Sequence, residues 1–184
     1  MPLKHLLKSL NSKHPWLSGT ARDLAGILAA VAAVALVLYV YSGVWPPMVS
    51  VISESMDPNM QKGDIVLIQG LNRCGITTLD GSASTGYRSF NDPGDVIVYY
   101  PGGDRSKTPI IHRAIRWVNE SEPMWPGGPC APYPGYVTRG DNNGGIYDQD
   151  YRFDISPMQP VKKEWISGIS KIRIPYLGYL RPAI

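Results

Sequence analysis

Residues 24–44 read LAGILAAVAAVALVLYVYSGV, an uncharged run that divides the chain and decides how the rest is read. At about 1.5 Å per residue, a helix of this length reaches roughly 30 Å, the thickness of a bilayer's hydrocarbon core. The run is expected to be a single transmembrane helix. On its amino side Lys4, Lys8, Lys13 and Arg22 stand against one acid, Asp23, and a basic flank favours the cytoplasmic face. Residues 1–23 are therefore expected to form a cytoplasmic tail, and residues 45–184 to lie on the far side of the membrane. A cleaved secretory signal is the competing reading. Its apolar centre usually spans only about 7–15 residues and closes on a small-residue site. Here the run is longer and ends among Tyr39, Tyr41 and Trp45, which suit a membrane interface, so an uncleaved anchor is expected.

The same flank accounts for the whole formal charge of +3. Beyond it acids and bases balance, so the basic pI of 8.8 reports topology and offers no electrostatic case for nucleic acid.

Residues 45–184 suffice for one domain with its own core. They show no internal repeat and no strong helical periodicity. Short runs rich in β-branched and aromatic residues stand out instead: 48–52, 65–68, 96–100, 110–117, 136–138 and 166–174. Each is bounded by Gly, Pro, Asn or Asp, the pattern of a mainly β domain. Two intervals, 71–91 and 119–135, are rich in Gly, Ser and Pro and read as loops. Cys74 and Cys130 fall one in each; a disulfide between them and two free thiols are both compatible with the spacing. The two Cys and His5, His14 and His112 do not cluster at ligand spacing, so no metal and no other cofactor is expected. Asn119-Glu120-Ser121 matches the glycosylation acceptor pattern.

Three segments carry possible chemistry. Ser55 lies in Ser53-Glu54-Ser55-Met56-Asp57-Pro58, followed by Gly63-Asp64. An ordinary turn entering a strand is one reading; a nucleophile is the other, and a serine needs a base to act as one. His112, among Ile110, Ile111, Arg113, Ala114 and Ile115, is the only histidine beyond the apolar run, and its side-chain class exchanges protons near neutrality. A structural histidine on a strand is the alternative. The third segment runs from Arg139 to Asp150 and holds Asp141, Asp148 and Asp150 among Gly and Asn. It reads as a solvated turn, or as the source of a carboxylate that orients His112.

Together these segments resemble type I signal peptidases of the archaeal and endoplasmic-reticulum branch. In that family a Ser-x-Ser-Met-x-Pro box follows the anchor, a His-Arg box replaces the Lys-centred box of the bacterial enzymes, and a Gly-Asp-Asn-Asn box precedes a further Asp. Here they are Ser53 to Pro58, His112-Arg113, and Gly140-Asp141-Asn142-Asn143 with Asp148. The resemblance runs from about Leu24 to the end and implies the mainly β signal-peptidase/LexA-like complex fold. It implies Ser55 as nucleophile, His112 as general base and then acid, Asp148 as the acid completing the triad, and Asp141 as a second important carboxylate. It also implies an oxyanion hole from the Ser55 N–H and the Ser53 hydroxyl. Gly144-Gly145 puts one residue more between the acids than the pattern expects, which leaves Asp141, and after it Asp150, as alternatives for the orienting role. Glu54 stands where many relatives have Gly or Asp. A Ser/Lys pair would need Lys62 or Lys107 brought close.

What the resemblance implies about function is removal of N-terminal signal peptides from exported preproteins after small residues, at A-x-A type sites. The implied partners are those signal peptides, the lipid bilayer and the protein translocation machinery, in the cell membrane or, in a eukaryote, the endoplasmic reticulum membrane. A dedicated processing protease of the same fold and a non-catalytic tethered binding module are the alternatives. Only about ten residues separate Val44 from Ser55, which holds the nucleophile within roughly 35–40 Å of the bilayer edge. The run 48–52 is the expected edge for pairing with extended substrate. Trp45, Met48, Met124 and Trp125 are candidates for lipid contact, with core or loop packing the alternative for the last two. The stretch 172–184 resembles the start of a second apolar segment, too short here to span.

Overall fold

The computed structural model describes residues 15–153 and 155–180. Lys4, Lys8, Lys13, His5, His14 and the last residues of the 172–184 stretch lie outside the described residues. The chain divides into two units, 1–41 and 42–184.

The described part of the first unit is helical: helix α1 is Pro15–Ser42, its last residue the first of the second unit. Its portion Gly19–Ser42 is 24 residues long with a mean hydropathy of 2.5, long and apolar enough to cross a membrane. Leu24, Ile27, Val31, Leu36 and Val37 place apolar groups around the whole circumference, as a helix solvated by lipid requires and a surface helix of a water-soluble domain does not. Gly43 follows at φ +70°, a left-handed conformation that glycine adopts without strain and that commonly ends helices.

The second unit is built on one six-stranded antiparallel sheet in the order β1, β2, β8, β5, β6, β7. Its strands are β1 (Met48–Ser50), β2 (Ile65–Gln69), β5 (Val96–Tyr99), β6 (Ile110–Val118), β7 (Gly135–Arg139) and β8 (Ile166–Ile174). They are the six runs of the sequence reading with ends shifted by a residue or two, so the mainly β class holds. The register shifts between Leu67 and Ile68, between Val98 and Tyr99, and between Ala114 and Arg116. Such bulges bend strands and increase their twist.

The sheet is covered on both faces, which is why β5 lacks a polar alternation. Val96 and Val98 face a cluster with Val51, Met56, Met60, Val66, Ile68 and Ile111. Ile97 and Tyr99 face the other side, with Ala114, Tyr136, Val161, Ile166 and Ile169. Each fully buried aliphatic side chain contributes about 1.5–3 kcal/mol relative to exposure.

The interval 71–91 holds more structure than a loop. Helix α2 (Leu79–Ser82) starts at Thr78, whose hydroxyl accepts from Gly81 N–H at 3.1 Å. A two-residue hairpin pairs β3 (Arg88–Ser89) with β4 (Asp92–Pro93), turning through Phe90 and Asn91 at positive φ. In the interval 119–135, Met124 is fully buried with Val118, Ala131 and Val137. Of the two readings of Met124, lipid contact and core packing, that burial selects the second: its thioether fills a core gap. Trp125 stacks on Tyr147 at 5.0 Å, while Trp45 is 66% exposed. Cys74 and Cys130 are both free thiols.

Candidate active site

Consecutive residues of a strand point to opposite faces, and β6 uses this at its most polar pair. His112 lies opposite Ile97 and Arg113 opposite Val96, so the imidazole enters the face holding Tyr99 and the guanidinium enters the other. On β7, Thr138 pairs with Ala114 and therefore shares the His112 face.

Ser55 comes from the segment joining β1 to β2. Backbone bonds from Val51 N–H to Asp64 O and from Gly63 N–H to Val51 O, both 2.9 Å, close its base. Within it Met60 N–H donates to Met56 O at 2.9 Å, and both methionine side chains are buried in the core. Ser55 is thus carried on a turn whose apolar side is anchored.

The three sequence candidates Ser55, His112 and Asp148 meet in one line. His112 Nε2 lies 2.9 Å from Ser55 Oγ, and Nδ1 lies 2.7 Å from Asp148 Oδ2. His112 and Asp148 are buried, whereas Ser55 is half-buried at the mouth. Ser53 Oγ lies 3.1 Å from Ser55 Oγ. A hydroxyl, an imidazole and a carboxylate in this order satisfy the geometric requirement for an activated nucleophile, its base and a group that orients the base.

Asp148 Oδ2 also accepts from Tyr99 Oη at 2.9 Å and Thr138 Oγ1 at 2.7 Å, while Oδ1 is buried and meets no donor among the described residues. Burial, and after it the Asp148 charge, push the Tyr99 phenol well above its ordinary value, so it remains a donor. Thr138 N–H in turn donates to Gln149 Oε1 at 3.0 Å.

Asp141 stands elsewhere. Both its oxygens accept from Arg113, from Nε and Nη2 at 2.7 Å each, and Asn59 Nδ2 donates to it at 2.8 Å. Arg113 Nη1 also donates to the carbonyls of Gly94 at 2.7 Å and Ser89 at 2.9 Å. Asp150 is bound to Arg152 through two side-chain contacts of 2.9 and 2.7 Å, which hold its carboxyl down at about 2. Among the three acids of the segment, then, Asp148 meets the imidazole and the other two meet arginines.

The same segment fixes the backbone at Ser55. Asn142 N–H donates to Ser55 O at 2.8 Å and Asn142 Nδ2 to Glu54 O at 3.1 Å. Across a trans peptide the N–H points opposite to the C=O, so with Glu54 O turned toward Asn142 the Ser55 N–H is turned away from it. Gly140 makes this approach possible: a Cβ there would sit 2.6 Å from Ser55 O. Sequence reasoning singled out neither Tyr99, Thr138 and Gln149 nor Asn59. Tyr99 ends a run of apolar residues and reads as core; only its phenol oxygen distinguishes it.

A cleft of about 260 Å³ opens beside Ser55 and His112, between the end of β1 and the start of β6, with Val51, Ile52, Met56 and Ile111 in its lining. Its wall is chiefly apolar, and β1 is an edge strand of the sheet. Among the described residues no group of His, Cys, Asp and Glu is arranged to hold a metal ion.

No protein-family model matches the chain. Among curated proteins it is similar to the signal peptidase complex catalytic subunit SEC11 of Saccharomyces cerevisiae strains YJM789 and RM11-1a. The identity is 31% over 134 residues, 73% of this chain and 63% of each relative. The chain therefore spans just under two thirds of the length of the curated relatives it matches. That homology, together with a mainly β domain following one long apolar helix in sequence, makes the chain a member of the type I signal peptidase family, on the endoplasmic-reticulum-type branch.

Proposed function

We propose that this chain is a membrane-anchored serine endopeptidase that removes N-terminal signal peptides from exported preproteins, with Ser55 as nucleophile, His112 as general base and acid, and Asp148 as the orienting carboxylate. The single observation that carries the reading is the continuous hydrogen-bonded line from Ser55 Oγ through His112 to Asp148. In the proposed cycle, His112 Nε2 takes the Ser55 proton as Oγ attacks the scissile carbonyl. The Ser55 N–H, turned away from Asn142, and the Ser53 hydroxyl receive the oxyanion; losing one such donor typically lowers the rate by about 10²–10³. His112 then delivers the proton to the leaving amine, and a water activated by the same nitrogen releases the acyl group.

Substrate selection follows from the cleft. Extended substrate pairs with the free edge of β1, a recognition mode that supplies main-chain bonds and leaves side-chain pockets to discriminate. A small apolar cleft favours small side chains before the cut. Residues 24–44 serve as a single anchor, residues 1–23 as the cytoplasmic tail and residues 45–184 as the catalytic domain beyond the membrane. In this reading the enzyme sits in the endoplasmic reticulum or cell membrane, beside the translocation machinery. Asp141 supports the nucleophile's turn through Arg113 and Asn59.

The test is cleavage of a model preprotein by the purified full chain in detergent. Wild type is expected to cut after a small residue, and Ser55→Ala and His112→Ala to lose the activity while remaining folded. Near wild-type cleavage by either variant overturns the assignment. Processing of several unrelated preproteins favours the general enzyme over one with a dedicated substrate.

A further inference from the structure

Among the described residues, Asp148 accepts three hydrogen bonds on a single oxygen and none on the other. Oδ2 receives His112 Nδ1 at 2.7 Å, Thr138 Oγ1 at 2.7 Å and Tyr99 Oη at 2.9 Å. A carboxyl proton on Oδ2 would displace one of these donors, so the inventory fits Oδ2 as the acceptor of an imidazole that carries its proton on Nδ1. Nε2 is then the bare lone pair that faces Ser55.

The proton directions are themselves fixed. Thr138 has one hydroxyl proton and two nearby acceptors, Asp148 Oδ2 at 2.7 Å and Tyr99 Oη at 3.3 Å; the shorter contact takes it. Gln149 Nε2 donates to Thr138 Oγ1 at 3.2 Å, which uses the hydroxyl as an acceptor and leaves its proton for the carboxylate. Tyr99 is fully buried, and its phenol stays protonated. Without these two hydroxyls the carboxylate is free to rotate about its Cβ–Cγ bond, and nothing else among the described side chains selects Oδ2 over Oδ1.

We propose that Tyr99 and Thr138 are positioning residues for the hydrolytic reaction, pinning the orienting oxygen of Asp148 in register with His112 and tempering its attraction for the imidazolium. This inference rests on the proposed Ser55–His112–Asp148 chemistry. The polar side chains facing the carboxylate are His112 from β6, Tyr99 from β5 and Thr138 from β7. The neighbouring Arg113 and Asp141 occupy the opposite face of β6.

Tyr99→Phe keeps the ring and removes one donor; Thr138→Val keeps the shape and removes the other; Thr138→Ser keeps the hydroxyl. In the full chain, cleaving a model preprotein in detergent, Tyr99→Phe and Thr138→Val are each expected to lower kcat about three- to tenfold at unchanged KM, the size of effect one such hydrogen bond supplies. The acid limb of kcat/KM is expected to move to higher pH, because a less satisfied carboxylate holds the imidazolium more tightly. Thr138→Ser should restore both quantities. An unmoved acid limb with activity falling only in step with the folded fraction, or a Thr138→Ser enzyme as impaired as Thr138→Val, overturns the inference and leaves the underlying reading intact. Full activity of Ser55→Ala removes that reading and this inference with it.

Discussion

His112 and Arg113 are consecutive residues of β6, and each meets an aspartate from the same segment between Arg139 and Asp150. The resulting pairs differ in kind. An arginine keeps its proton under ordinary conditions, so the two-pronged contact of Arg113 with Asp141 is static and, through Asn59 and the carbonyls around Gly94, ties the sheet to the turn that bears Ser55. An imidazole can both take and give a proton, and the second nitrogen of His112 reaches the serine. Strand alternation separates the two functions by the thickness of the sheet. One face holds the frame; the other, in the proposed cycle, moves the proton.

The first way to break this comparison is to neutralise each aspartate in turn. Asp148→Asn is expected to lower kcat by about 10³–10⁴ with little change in folding, because the amide no longer enforces the reactive tautomer. Asp141→Asn is expected to lower kcat only about tenfold while costing roughly 3 kcal/mol of stability or more, since it leaves a buried guanidinium without its counter-charge. Preprotein cleavage and denaturant unfolding, measured on both variants, separate the two effects. Equal kinetic losses with equal stability would erase the distinction between frame and proton relay.

Gly140 sharpens the comparison from the backbone side. Its missing Cβ lets the segment reach Ser55 O, and the atom that an alanine would strike at 2.6 Å is main chain and cannot swing aside. Gly140→Ala is expected to displace Ser55 from Nε2 and lower kcat/KM about 10²-fold, the penalty of misplacing a reacting group by about 1 Å. Labelling of Ser55 by a serine-directed acylating probe should slow in parallel. An unaffected labelling rate would show that the turn holds without this close approach.

Much of this was legible in the residues, for physical reasons that vary along the chain. The six strands announced themselves because β5, β6 and β8 are apolar runs rich in Val and Ile, and the apolar helix because its length matches a bilayer. Ser55 and His112 stood out by their order and by the absence of another histidine beyond the anchor. The choice between Asp141 and Asp148 was not legible: Gly144 and Gly145 both adopt positive φ, and such a turn sets direction in a way that counting residues does not. The β3–β4 hairpin escaped notice because each strand is two residues long and its turn uses Phe90, a residue type that rarely adopts positive φ, beside Asn91. Met124 left lipid contact and core packing both open, because a methionine beside a tryptophan in a Pro-rich loop suits either; it is the core of that loop. Tyr99 looked like packing alone, since nothing local tells where a phenol oxygen ends.

Asp150 supplies the mildest test, because it is the third acid of the same segment and belongs to neither face of β6. It pairs with Arg152, two residues on, and those hydrogen bonds lower its carboxyl from 3.8 to about 2. A folded-state value below the unfolded one means that the pair stabilises the native state above the unfolded value and stops doing so as pH falls through about 2. Asp150→Asn is therefore expected to leave kcat and KM as they are and to lower stability slightly at neutral pH, with the gap from wild type closing between about pH 4 and pH 2. Unfolding curves across that range read the gap directly. A gap that persists unchanged at pH 2 would mean the aspartate shapes the 148–153 turn through its geometry and not its charge, and a loss of kcat would extend the proton-moving face to a residue that touches none of its members.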